Sequence, residues 1–367
     1  MAQKHQKISA RQMTILVTLY IVGVAILIIP SFLAVAAKQD AWIAAILTVG
    51  AAVTILPLYN ALSRRFPDMT FAEYTEEILG RWLGKAVSLL FFIGFPFLIA
   101  ALTLRNIGDF MTTQVVPETP IHAVHILFMA VVVMGARLGL EPLSRAAEIF
   151  FPWIMLLFAL LVIFISPQIK VENMQPIMEG GMKPIVTAAI PFFSFPFLEP
   201  VILLMVYPYV NRTEKAGKAV FVGVLLSGSI LFVITALSIL VLGADQTARN
   251  TFPSYVITKN ISIGDFLERI EAIMAIIWFI TSYFRLTLLF YITALGLAQS
   301  LNMKDYKFIT LPLAMIVIVL SIMAVPHSTY LMNFIPVWGV YATTYGLLLP
   351  ILLLGVAVVR KKRQADK

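Results

Sequence analysis

The sequence predicts an all-α integral membrane protein of ten transmembrane helices, in two inverted blocks of five with the first and sixth helices broken. Three observations carry this. The 367 residues are 60% hydrophobic and 13% charged, with a mean hydropathy of +0.93, a composition no soluble domain has. The charges fall between long uncharged runs. And residues 191–208, apolar enough for hydrocarbon, contain Pro191, Pro196, Pro200 and Pro208 with Glu199 among them. Interior prolines remove helix hydrogen bonds, and broken helix inside a membrane is tolerated only where it faces protein or lines a cavity. A single polytopic domain over 1–367 is expected.

The elements follow in order. The first uncharged run lies between Arg11 and Lys38 and the second between Asp40 and Arg64. Residues 63–84 form a polar amphipathic connector. The third span is expected over 86–110, the fourth over 120–138 and the fifth over 149–169. A loop, 170–183, leads into the broken sixth span. The seventh covers 219–244, a longer loop 245–265, and the eighth 266–298, interrupted by Arg285. No charge occurs between Lys307 and Arg360, which is too long for one helix; Pro326-His-Ser-Thr marks a turn, giving spans nine and ten. The basic N-terminal segment lacks a small-residue cleavage site and leads into a run too long for a signal peptide, so it is expected to be retained.

Ten spans put both ends on one side. Of the 27 Lys and Arg residues, Lys38, Lys170, Lys183, Arg249, Lys259 and Arg269 fall on the opposite side and Arg105 and Arg285 within spans, leaving 19 on the side of the termini. This bias makes both termini, including the basic tail 360–367, cytoplasmic. It also explains the net charge of +8 without a nucleic-acid partner. The first span is interrupted too, by Gly23 and Pro30. Interrupted segments at matching positions of two halves, about 11–169 and 184–359, point to a midplane substrate site between inverted repeats.

No enzyme motif occurs, and the chain has no cysteine, which excludes thiol catalysis, thiolate metal sites and disulfides. No cofactor is expected. His122 and His125, with His327, are the available metal-ligand set; no carboxylate or thiol completes it, so they read as interfacial imidazoles and no metal is expected. Glu199 is the strongest candidate, because a carboxylate within a span normally faces a cavity or a partner. Arg285 is its candidate counter-charge. Arg105/Asp109 and Arg137/Glu141, each four apart, read as local neutralising pairs. The aromatic run from Phe192 to Phe197 and the hydroxyls of Thr281, Ser282 and Tyr283 are available to a pocket. If the first span unwinds near Gly23, the following half-helix offers free N–H groups to a ligand carboxylate. Carbonyls freed in the sixth suit an ammonium or hydroxyls. A zwitterionic or polyhydroxylated ligand is expected.

The Lys-Ile-Ser-Ala-Arg-Gln start (7–12), the Gly23…Pro30 first span, the Phe-Pro-Asp-Met-Thr-Phe-Ala-Glu-Tyr connector (66–74) and the Phe-Phe-Ser-Phe-Pro sixth span (192–196), together with the ten-span plan, resemble the B subunits of bacterial spore nutrient-germinant receptors. That family lies within the amino acid–polyamine–organocation superfamily. The resemblance implies a five-plus-five inverted-repeat fold in the spore inner membrane, an A subunit and a lipoprotein C subunit as partners, and an amino acid or sugar as nutrient. By position it implies a pocket of Gly23, Ala25, Phe95, Ile99, Ser194, Phe195, Phe197, Thr281, Arg285 and Trp338, beside the Glu199 read from the residues themselves. Two functions stay open, a sensing subunit that changes conformation or a proton- or sodium-coupled amino acid permease; a third, a membrane scaffold that binds partners and no nutrient, is disfavoured by Glu199 and Arg285 within spans. The fifth span contains no titratable residue, which argues against coupling.

Overall fold

Apolar helix-forming stretches alternate with strong helix-ending signals, and the structure, a computed structural model, describes residues 7–259, 270–324 and 337–360. Eight helices among the described residues are long and apolar enough to cross a membrane, and two further apolar helices, Ala10–Val22 and Lys307–Met323, are shorter. One of the eight, Ala25–Arg65, has 41 residues, about twice what a bilayer core needs. It turns at Lys38–Asp40, a short 3-10 segment, so that Ala25–Ala37 completes the first span and Ala41–Arg65 forms the second. The first crossing is thus made of two half-helices. The others are Arg81–Val115, Ile121–Leu138, Leu140–Gln168, Met182–Met205, Thr213–Leu242, Glu271–Ser300, Lys307–Met323 and Val337–Val359, the third to the tenth spans.

Local signals set the boundaries. The Ser9 hydroxyl accepts from the Gln12 N–H while Gln12 Oε1 accepts from the Ser9 N–H, a capping box that starts the first half-helix. That helix stops at Gly23. In the connector, Thr70 and Glu73 form a second capping box, and Phe71–Leu79 is helical. The third span therefore begins at Arg81, five residues before the expected start, and runs on to Val115 through two wider π turns, Ile93–Phe97 and Met111–Val115. The fifth begins at Leu140 because its polar first turns keep helical spacing, with Arg145 donating to Glu141 at 2.6 Å. Here the expected Arg137/Glu141 pair is corrected. Gly139, at φ 97°, separates two helices, so residues 137 and 141 do not share a helical face and Glu141 pairs with Arg145 instead.

The link after the seventh span is also more ordered than the expected loop: Ala244–Arg249 and Pro253–Lys259 are helical. It is pinned over the first span, since Ser254 donates to the Ile26 carbonyl at 2.7 Å and Ser31 to the Ala248 carbonyl at 3.2 Å. His125 is not interfacial but fully buried, its Nδ1 3.0 Å from Ser321 Oγ. His327 and the turn at 326–329 lie outside the described residues. Among the described residues no group of three His, Cys, Asp or Glu side chains could hold a metal.

The core is organised around the two broken spans. Residues 15–22, 24–30 and 196–207 are buried, as is nearly all of the eighth span beyond Ile280. The fourth, fifth and ninth spans turn apolar side chains such as Leu127, Trp153 and Met315 outward, as lipid contact requires. On the side of the chain ends, Lys7 and Ile8 lie along the segment after the sixth span: the Ile8 N–H donates to the Tyr209 carbonyl and the Asn211 N–H to the Ile8 carbonyl, both at 2.9 Å.

Gly139→Ala is expected to lower stability by about 1–2 kcal/mol, because a side chain disfavours positive φ. Gly50→Ala, in a helix with open space around the added carbon, is expected to be neutral or stabilising by up to about 1 kcal/mol. Thermal unfolding of the two purified variants in one detergent checks the contrast.

Candidate functional site

The sixth span breaks near the middle of its length. Helix Met182–Phe192 widens into a π turn, Phe193–Phe197, in which Phe195 adopts extended backbone (φ −129°, ψ 117°). The chain continues as 3-10 turns, Glu199–Met205 and Tyr207–Tyr209. Prolines at 196, 200 and 208 withhold the N–H groups an α-helix would need there. Glu199 is carried just past the break and is fully buried.

Arg285, from the eighth span and also fully buried, meets it: Nη2 lies 2.5 Å from Glu199 Oε2. The same guanidinium donates through Nη1 to the Tyr20 carbonyl at 3.0 Å and through Nε to Thr103 Oγ1 at 3.4 Å. The Tyr20 hydroxyl donates to Glu199 Oε2 at 3.1 Å. Tyr20 and Phe195 place their rings 4.7 and 5.2 Å from the guanidinium carbon, within cation–π range. One arginine therefore ties together the first, third, sixth and eighth spans. Gly23 permits this approach, since a Cβ there would sit 2.5 Å from Arg285 Cδ. Thr281 Oγ1 lies 3.3 Å from the Gly23 carbonyl on the other side of the break.

Beside the pair is a cavity of about 590 Å³, within the range of small-molecule sites. Ile99, Phe195, Glu199, Arg285 and Trp338 line it among the sequence-predicted residues. Gly23 does not, but Val24, at the start of the second half-helix, does. The remaining expected residues stand behind the wall. Ala25 is buried in its helix. Phe95 stacks on Trp338 and Tyr345, with centroids 6.1 and 5.1 Å apart. Ser194 donates to the Ile190 carbonyl, Phe197 packs on Phe192, and Thr281 holds the first-span break. Tyr283 is turned toward the fourth span at Gly135, away from the expected pocket.

Sequence reasoning missed much of the cavity wall. Leu102, Thr103, Asn106, Asp109 and Thr113 of the third span line it, as do Arg249 to Phe252 of the link. The third-span residues recur every three or four positions after Ile99, so polar spacing on one helical face was the available signal. Arg105 and Asp109 do pair, Nε to Oδ1 at 2.9 Å, but Asp109 also belongs to the cavity.

Two more hydroxyls brace the site. The Tyr59 hydroxyl, from the second span, lies 2.7 Å from the Gly346 carbonyl and 3.3 Å from the Leu198 carbonyl. The Tyr341 hydroxyl donates to the Gly94 carbonyl, where the third span widens at Pro96.

Residues 7–329 match a family model described as "Spore germination protein". The chain belongs to the spore germination protein family. Among its members, this chain is 30% identical over 365 residues to spore germination protein KB of Bacillus subtilis (strain 168), covering 98% of this chain and 96% of that one. It is 24% identical to spore germination protein YndE of the same organism, over 97% of this chain and 98% of that one. To spore germination protein GerLB of Bacillus cereus it is 25% identical, over 99% and 97%. The resemblance to germinant-receptor B subunits read from the residues therefore holds.

Among solved structures, the fold resembles MhsT in complex with L-phenylalanine (TM-score 0.72, 14% identity, 96% of this chain and 89% of that one). It also resembles Mhp1, a nucleobase-cation-symport-1 transporter with bromovinylhydantoin bound (0.64, 14%, 94% and 79%). At these identities the likeness concerns the fold alone, and it is the inverted-repeat transporter fold the sequence predicts.

Replacing either Glu199 or Arg285 singly by methionine is expected to destabilise the protein by about 3–5 kcal/mol, because the surviving charge is left buried and unpaired. The double Met variant is expected to recover most of that loss. Thermal unfolding and the monodisperse fraction after extraction measure both.

Proposed function

We propose that this integral membrane member of the spore germination family is the nutrient-binding B subunit of a germinant receptor, with its ligand held at mid-membrane between the broken first and sixth spans. The observation that carries the reading is the cavity lined by the Glu199–Arg285 pair, with the start of the second half-helix, Val24, on one wall and Phe195 and Trp338 on others. Free N–H groups at a helix start suit a ligand carboxylate. The aromatic walls suit a compact apolar body, and Ile99, Gly23 and Thr281 shape or brace the pocket. We take residues 11–169 and 184–359 as the two repeats, the spore inner membrane as the location, and the face of both termini as cytoplasmic.

Signalling requires a ligand that binds two conformations unequally. Arg285 supplies the element on which that difference acts, because it grips four spans at once: a ligand that shifts Phe195 or Glu199 shifts their common anchor. The connector helix Phe71–Leu79, on the side of the termini, is the relay we assign toward the A subunit and the lipoprotein C subunit.

Likeness to transporter structures keeps a coupled amino acid permease as the second reading. Against it, the Tyr20 carbonyl at the first-span break accepts from the protein's own guanidinium. The fifth span has no titratable residue beyond its polar first turns. Labelled-alanine uptake into proteoliposomes, with and without sodium or proton gradients, separates the two; gradient-driven accumulation would favour the permease.

Gly23→Leu is expected to abolish the nutrient response while the protein stays in the membrane, since the added side chain takes the space of Arg285. Germination of spores carrying the variant, with immunoblotting of the membrane fraction, tests this. A normal response would remove the midplane placement.

A further inference from the structure

The cavity continues well beyond the Glu199–Arg285 pair. It follows one face of the third span through Thr103, Asn106, Asp109 and Thr113 to the link residues Arg249 and Asn250. Thr103 touches Arg285, and six residues of helix place Asp109 about 9 Å further along the axis. One small polar group cannot serve both places.

Asp109 and Asn106 are both more than nine-tenths buried. Arg105 takes Asp109 Oδ1, whereas Oδ2 has no hydrogen-bond partner, and neither has Asn106 Oδ1. Buried acceptors without donors are uncommon in native proteins. Residues three apart on a helix are surface neighbours, so the two oxygens can reach a single group. A group with two or more hydrogens on one atom can serve both: a hydroxyl offers one, water two and a primary ammonium three, and of these only the ammonium brings a charge to meet the carboxylate.

We propose that this outer arm of the cavity is a separate subsite for a primary ammonium group, held by Asp109 and Asn106. The proposal rests on the reading that the cavity admits a small ligand, and adds where and by what chemistry it is first engaged. Asp109 supplies the charge that favours a cation, shared with the Arg105 guanidinium and opposed by Arg249 at the end of the arm. Arg105 keeps that carboxylate oriented by occupying its other oxygen. Asn106 completes the pair, its Oδ1 without a hydrogen-bond partner among the described residues.

The test uses the full-length purified chain in detergent, with n-propylammonium chloride as probe and thermal unfolding as readout. Propylammonium is expected to raise the unfolding temperature saturably. Tetramethylammonium, equally charged but without N–H donors, and 1-propanol, with a single donor, are expected to have no such effect. Asn106→Leu is expected to weaken the apparent affinity about tenfold. Asn106→Asp, of the same shape, should strengthen it, and decides the matter if the leucine variant does not fold. Equal stabilisation by tetramethylammonium would overturn the subsite. So would an unaltered propylammonium effect in Asn106→Leu, an unaltered or weakened one in Asn106→Asp, or no saturable effect on the wild-type chain. A normal nutrient response of Gly23→Leu spores removes the midplane reading and leaves this result standing. A failed propylammonium titration removes the arm and leaves the midplane.

Discussion

A buried ion pair inside a broken membrane helix is the constraint on which the rest of this structure depends. Neither Glu199 nor Arg285 is exposed, and a lone charge at that depth would be strongly unfavourable. Together with the Tyr20 hydroxyl and carbonyl and Thr103, the two form a connected set of donors and acceptors in which Glu199 Oε2 is doubly engaged and Oε1 has no hydrogen-bond partner among the described residues. The break in the sixth span supplies the room for Glu199, and the break in the first supplies the carbonyl and the missing side chain that let Arg285 in. Each interruption thus answers a demand made by the other.

From Arg285 the cavity extends to the link after the seventh span, whose residues Arg249 to Phe252 line it. That link is held over the first span by two hydroxyl-to-carbonyl bonds. The aromatic wall is braced independently through Phe95, Trp338 and Tyr341. Polar fastening and aromatic packing hold different parts of the wall of the same space.

Much of this was legible in the sequence, for physical reasons that differ by feature. The spans were legible because hydrocarbon demands long uncharged runs, and the Glu199–Arg285 pair because two charges at similar depth have few other partners. Boundaries were less so: polar turns at Arg81 and Glu141 remain helical in water as readily as loops do. The Arg137/Glu141 spacing misled because Gly139 interrupts the periodicity it assumed. On the cavity wall, Asn106 and Asp109 were hidden by an apparently complete local explanation, the Arg105–Asp109 pair, which leaves one oxygen unaccounted for. Phe95, Phe197 and Thr281 lie close to the site but behind it, a distinction of side-chain direction that position along a span does not carry.

The clasp between Ile8 and the Tyr209–Asn211 segment joins the beginning of the first span to the end of the sixth. The two broken crossings are therefore fastened to each other twice, at their breaks through Arg285 and at their terminal-side ends through main chain. Two such attachments on one pair of elements define a lever with both ends held: the terminal-side halves move as one body, or the surface bonds must part first. The fastening on that side is a seam of backbone, whose strength is independent of which side chains the pocket presents.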